Sequence, residues 1–290
     1  MTKFKGLGVA MVTPFEEGGA IDVSSLRKLT RHLVDGGADY LVVMGTTGEN
    51  PTINANEQAQ ILEVVQEENN GSKAIVFGIG GNNTAQVLDR LKSCNLDGVD
   101  GILSVSPYYN KPNQEGIFQH YKQISDHSPL PVIMYNVPGR TGSIVSAETT
   151  LRISELENIV ATKEASGDMG IVMEILRNKS SDFMVVSGDD DLTFPYLSVG
   201  MQGVISVIGN AYPKEYGEMV HLALSGNYDQ AKGLHNKLLP MIRAIFMDGN
   251  PGGVKYLLSK MGICKNEFRL PVWPVNEQTR KAIDNCYSLL

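Results

Sequence analysis

Short apolar runs that alternate with amphipathic stretches constrain this chain more than any other feature. Eight runs recur, at residues 7–12, 40–44, 74–77, 101–105, 132–135, 159–163, 183–186 and 204–207. They are β-branched and almost continuously apolar, which suits strands covered on both faces in a parallel sheet. Most are followed by a glycine-rich or polar turn and then by residues with helical spacing. Eight strands with helical crossovers is the count of a closed (β/α)8 TIM barrel, an α/β fold. A doubly wound open sheet is the structural alternative, and it would usually show a nucleotide-binding turn early in the chain.

The helix signals agree with this pattern. Asp22-Val23-Ser24-Ser25-Leu26 opens a helix that ends near Gly36-Gly37. Asn56-Glu57 begins another, and Thr84 and Ser146 read as further N-caps. Beyond about Gly226 the strands stop, and 228–246, 253–261 and 276–289 read as helices. The chain therefore divides into a barrel catalytic domain, 1–225, and a C-terminal three-helix extension, 226–290. That extension closes the barrel, makes subunit contacts or simply packs.

Composition narrows the function classes. The 290 residues are 42% hydrophobic, enough for a barrel-sized core. A net charge of −7 argues against a general nucleic-acid or anionic-membrane surface. No apolar stretch is long enough to span a bilayer, and residues 1–6 show no signal-peptide pattern. Cys94, Cys264 and Cys286 are scattered, without a CxxC pair. They suggest neither a disulfide framework nor a thiolate zinc site, and a reducing cytoplasm is the simplest compartment.

In such barrels the reacting groups sit at the C-terminal ends of the strands. The second strand ends at Gly45-Thr46-Thr47-Gly48-Glu49 and the fourth at Ser106-Pro107-Tyr108-Tyr109-Asn110-Lys111-Pro112. The fifth ends at Tyr135-Asn136-Val137-Pro138-Gly139-Arg140-Thr141, the sixth at Lys163, the seventh at Ser187-Gly188-Asp189-Asp190-Asp191. His32, His120, His127, His221 and His235 all fall in helices or at their edges, so a histidine zinc site or Ser-His triad has no obvious parts. The aspartate triplet either holds Mg²⁺ through oxygen or caps a helix starting near Leu192. Gly78-Ile79-Gly80-Gly81 is a weak likeness of a phosphate loop, without the full pattern.

Lys163 is the residue that carries chemistry. It stands at the inner end of a strand, where burial costs free energy unless the amine is paired or uncharged. The plain alternative is that it marks where the strand emerges into water. A neutral amine can attack a ketone to form an imine, and the neighbouring carbon then becomes an enamine nucleophile. Those steps need a hydroxyl relay. Tyr135, on the neighbouring strand, is placed for it, with Thr47 as a hydrogen-bond partner; otherwise Tyr135 is a core aromatic and Thr46-Thr47 an ordinary turn. Arg140 lies in a loop where a guanidinium can grip a carboxylate, or where it is only solvated.

These motifs together, in this order, resemble the dihydrodipicolinate synthase branch of the pyruvate-dependent class I aldolase and lyase family, over essentially the whole chain. The resemblance implies a Schiff base between Lys163 and pyruvate, without metal or other cofactor. It implies a proton relay of Tyr135, Thr47 and Tyr109, the last from another subunit. Thr46 and Thr47 would contact the pyruvate carboxylate, Arg140 the carboxylate of L-aspartate 4-semialdehyde, and the backbone of Gly188 and Ile205 the pyruvate pocket. Condensation and cyclisation to 4-hydroxy-tetrahydrodipicolinate would serve lysine and diaminopimelate synthesis, in a homotetramer of paired dimers. Lysine-sensitive members carry two histidines and a glutamate at positions matching Ala55, Gln58 and Gln86. Asn82 and Tyr108 match, but those three do not, so weak or absent lysine inhibition is expected.

Three rivals remain at this point. An N-acetylneuraminate lyase typically has serine at the Thr46 position and lacks the arginine. A non-catalytic keto-acid-binding barrel would be expected to have lost Lys163, Tyr135 or Thr47. A metal-dependent barrel enzyme would be sensitive to EDTA.

Overall fold

In the computed structural model, which describes residues 2–289, eight parallel strands close in sequence order into a barrel. They are β1 (Gly6–Ala10), β2 (Tyr40–Val43), β3 (Ala74–Gly78), β4 (Gly101–Val105), β5 (Val132–Asn136), β6 (Ile159–Glu164), β7 (Met184–Ser187) and β8 (Gly203–Ser206). The barrel helices are α1 (Val23–Asp35), α2 (Ala55–Asn69), α3 (Thr84–Ser93), α4 (Gln114–His127), the single turn α5 (Pro138–Thr141), α6 (Ala147–Ser154), α7 (Met169–Asn178), α8 (Thr193–Ser198) and α9 (Pro213–Leu224). The open-sheet alternative is excluded, because β1 pairs with both β2 and β8.

Alternation along each strand builds two apolar layers. Val42, Leu103, Ile133, Ala161, Val186 and Ile205 fill the barrel interior. Leu7, Val9, Leu41, Ile75, Val132 and Val204 face the helices. The interior is therefore packed, and only its C-terminal rim can hold a ligand.

Local chemistry accounts for the boundaries. The Asp22 carboxylate accepts from the Ser25 amide at 2.9 Å and starts α1. Asn54 and Glu57 form a reciprocal capping box at α2. The Ser146 hydroxyl caps α6 as expected, accepting from the Thr149 amide at 3.1 Å. The expected cap at Thr84 is displaced by one residue. Asn83 caps α3, and the Thr84 hydroxyl pairs instead with His120 Nδ1 at 2.8 Å.

Three helices follow the barrel: α10 (Tyr228–Phe246), α11 (Gly252–Lys260) and α12 (Glu277–Tyr287). Helix α10 packs along α9, and α12 packs on α10. The loop before α11 and the segment after it reach back over the barrel mouth. No helix among the described residues is long and apolar enough to cross a membrane.

Candidate active site

Strand β6 carries Lys163 into the barrel, in register with Tyr135 on β5 and Val186 on β7. The lysine is only 5% exposed, and its amine lies 4.2 Å from the centre of the Tyr135 ring. Burial pushes its pKa down to about 8, against the pull of Asp190 and Asp189 and with the help of Arg140. A usable fraction of the amine is thus unprotonated near neutral pH. The reading of Lys163 as a strand end emerging into water does not hold.

The same burial drives the Tyr135 phenol the other way, up to about 12, with Arg140 opposing, Asp189 adding and the Thr46 hydroxyl easing it back. The phenol stays protonated and can donate. An amine that is partly free then lies against the ring of a phenol that stays protonated, both of them buried.

The loop after β7 leaves room for the lysine. A side chain at Gly188 would place its Cβ 2.6 Å from the Ala165 Cβ and 3.0 Å from Lys163 Cε. Glycine is needed here for close approach. Ile205, fully buried on β8, belongs to the same interior layer as Tyr135.

The Thr46–Gly48 turn, a 3-10 turn after β2, is braced from several directions. The Thr13 hydroxyl donates to the Gly48 carbonyl at 2.7 Å, and Asn50 Nδ2 donates to the Met44 carbonyl at 2.6 Å. Glu49 closes the turn in the left-handed region, φ 56°. Its carboxylate is wholly buried against Lys255 of α11, at 2.8 Å, and also accepts from the Arg269 amide at 3.3 Å.

The two threonines separate here. Thr46 lines the cavity and faces the Tyr135 phenol. Thr47 is turned beneath it, and its hydroxyl accepts from Asn250 Nδ2 at 3.0 Å. Among the described residues no hydrogen bond joins Thr47 to Tyr135: the threonine beside the phenol is Thr46, and the Thr47 oxygen accepts from the loop before α11.

Arg140, on α5, stands at the rim and donates through Nη2 to the Asn250 carbonyl at 3.4 Å. Thr46, Tyr108, Tyr135 and Arg140 line a cavity of about 300 Å³, with apolar walls from Met44, Leu103, Val105 and Val137. Tyr109 is not brought to the site. It is 87% exposed, with its backbone held at φ 72°.

Neither expectation for the aspartate triplet survives in side-chain terms. Among the described residues no three His, Cys, Asp or Glu side chains converge as a metal site. Helix α8 has no side-chain cap; the Asp189 carbonyl accepts from the Leu192 amide and the Thr193 hydroxyl instead. Asp190 is buried and clamps the turn after β8, accepting from the Val207 and Ile208 amides at 3.0 and 2.8 Å.

Three features escaped the sequence reading. Glu164 is buried outside the barrel and held by both Asn136 Nδ2 and the Ser166 amide. Lys255 pairs with Glu49, and Asn250 reaches Thr47. A signal existed for Lys255, which interrupts the apolar sequence Val254, Leu257, Leu258 on α11. Nothing local marked Asn250.

A barrel with a desolvated lysine beside a phenol at its C-terminal rim defines a class: the lyases of class I aldolase type, whose chemistry runs through an amine and not a metal. The comparisons with known proteins are narrower. The model of the dihydrodipicolinate synthetase family matches residues 3–288, and the chain belongs to that family. The 4-hydroxy-tetrahydrodipicolinate synthase of Parabacteroides distasonis is 49% identical over 280 residues, covering 96% of this chain and 94% of that protein. The dihydrodipicolinate synthase structure from Thermotoga maritima superposes with a TM-score of 0.96 at 41% identity, covering 99% of this chain and 98% of that one. A structure described as a monomeric dihydrodipicolinate synthase variant gives 0.96 at 42% identity, covering 100% and 98%.

Proposed function

We propose that Lys163 is the Schiff-base nucleophile of a 4-hydroxy-tetrahydrodipicolinate synthase acting in lysine and diaminopimelate synthesis. Its substrates are pyruvate and L-aspartate 4-semialdehyde. One observation carries the reading: a buried amine, lowered toward neutrality, against the ring of a protonated tyrosine.

The steps follow from that pair. The free amine attacks the ketone carbon of pyruvate, and Tyr135 supplies the proton with which the oxygen leaves as water. The protonated imine withdraws electrons, so the methyl carbon gives up a proton to the Tyr135 phenolate, which is thereby restored, and an enamine is left. The enamine carbon adds to the aldehyde, whose oxygen takes up a proton. The amino group of the semialdehyde then attacks the imine carbon, closes the ring and frees Lys163. One water is lost overall, and no oxidant or reductant is needed.

Thr46, facing the phenol, is the hydroxyl we assign to the relay in place of Thr47, with Tyr109 of a second copy as its outer member. Thr47 and the backbone around Gly188 and Ile205 are assigned to pyruvate, and Arg140, at the rim, to the carboxylate of the aldehyde. Residues 226–290 act as a helical unit beside the barrel that sends the loop before α11 and the segment after it to the barrel mouth. A homotetramer in the cytoplasm, with no cofactor beyond the covalent imine, completes the reading.

Lysine control is assigned as weak. Gln58, one of the three departing positions, is tied to Asn50 at 3.0 Å and accepts from Arg90 at 3.1 Å. Gln86, a second departing position, brings no carboxylate to pair with a cationic ligand. Steady-state rates with saturating substrates should change little in millimolar lysine; strong inhibition would show the assignment wrong.

Borohydride reduction in the presence of pyruvate, followed by mass spectrometry, tests the central claim. A stable adduct on the peptide containing Lys163 is the expected outcome, and a second run with the aldehyde should yield a product that dihydrodipicolinate reductase accepts. Normal turnover with no adduct, or an adduct on another lysine, would overturn it.

A further inference from the structure

Asn250 belongs to no barrel strand, yet it touches two members of the site. It lies in the loop between α10 and α11. Its Nδ2 donates to the Thr47 hydroxyl at 3.0 Å, and its carbonyl accepts from Arg140 at 3.4 Å. Its Oδ1 is buried with no hydrogen-bond partner among the described residues.

The direction of the first bond matters. A hydroxyl has one proton to give and two lone pairs to accept with. With one lone pair occupied by the Asn250 amide, the Thr47 proton points elsewhere, and no acceptor among the described residues receives it. An oriented donor with no protein acceptor, beneath a site built for a keto acid, is suited to a carboxylate oxygen. An acceptor at position 250 would have the opposite effect, drawing the proton down and away from the ligand.

We propose that Asn250 is a positioning residue: by donating to Thr47 it turns that hydroxyl into a fixed donor for the carboxylate of the keto-acid substrate. Its main-chain carbonyl sets Arg140 separately, so the side chain governs the first substrate and not the second. This rests on the assignment of Lys163 and pyruvate above.

Two variants separate the terms. Asn250→Ala removes the orienting bond and leaves Thr47 free to rotate. Asn250→Asp replaces the donor by an acceptor and sets a negative charge beneath the carboxylate. The KM for pyruvate should rise several-fold in the alanine variant and more than tenfold beyond that in the aspartate variant. The KM for the aldehyde should stay within about twofold of the parent in Asn250→Ala. Pyruvate-concentration dependence of borohydride trapping should shift by the same factors, read without the second substrate. Equal effects of Ala and Asp, or a rise confined to the aldehyde KM, would overturn the proposal. If the parent itself forms no adduct at Lys163, the reading of the site fails first. Circular dichroism and thermal melting of each variant distinguish loss of fold from loss of orientation.

Discussion

At the scale of single residues, the site spends stability on reactivity. Lys163 has a folded-state pKa of about 8 against 10.5 when solvated, so the unfolded chain binds the extra proton. Holding the amine in the barrel costs on the order of 3 kcal/mol below pH 8, since each pKa unit is worth about 1.4 kcal/mol. The cost shrinks as pH rises from 8 toward 10.5, where the unfolded lysine also loses its charge. Lys163→Met should therefore be inactive but more resistant to urea at pH 7, with the difference narrowing above pH 9. Equal stability at both pH values would mean that the amine is solvated. Gly188→Ala tests geometry alone. The new methyl would press on the Ala165 Cβ at 2.6 Å and on Lys163 Cε at 3.0 Å, and a displaced amine should form its pyruvate adduct at least about tenfold more slowly. An unchanged trapping rate would show that the lysine has room to move.

At the scale of elements, the Thr46–Gly48 turn depends on a helix distant in sequence. Lys255 of α11 is wholly buried between the rings of Phe15 and Phe268, 4.4 and 4.6 Å from its amine, with Glu49 as its charge partner. Two ions taken out of water repay the loss only while both are present. Removing one, in Lys255→Met or Glu49→Gln, should cost about 3–5 kcal/mol and lower kcat, because Glu49 ends the turn that aims Thr46. The double variant should recover part of that stability in urea denaturation. Strict additivity of the two losses would separate the pair from the turn.

This element scale also shows where the sequence was legible. The strands repeat a strong local pattern, and a buried lysine at the end of one is visible because burial and charge conflict within a few residues. Ser146 and Asp22 could be read as caps because capping is a matter of three or four neighbours. Asn250 and Lys255 could not be read as site residues, since their partners lie about two hundred residues away along the chain. The exchange of roles that we propose between Thr46 and Thr47 has the same origin. Adjacent hydroxyls on a turn look alike until Asn250 selects one of them.

At the scale of the whole molecule, the exposed Tyr109 is the feature that points beyond a single barrel. A non-glycine residue held at φ 72° and pointed outward is costly in isolation. If it completes the relay of a second copy, activity per subunit should fall on dilution through the dissociation range of the dimer. Tyr109→Phe should lower kcat without changing the sedimentation coefficient. Full specific activity in a sample shown to be monomeric by sedimentation would remove Tyr109 from the relay.

The brace from α11 has a consequence in time as well as in space. During synthesis the reactive amine leaves the ribosome well before Lys255 and Asn250 do. Until those residues arrive, Glu49 lacks its counter-ion and Thr47 lacks its donor. A nascent barrel with its strands already paired would thus hold a keto acid less firmly than the finished one, because the segment that braces its threonine turn emerges later.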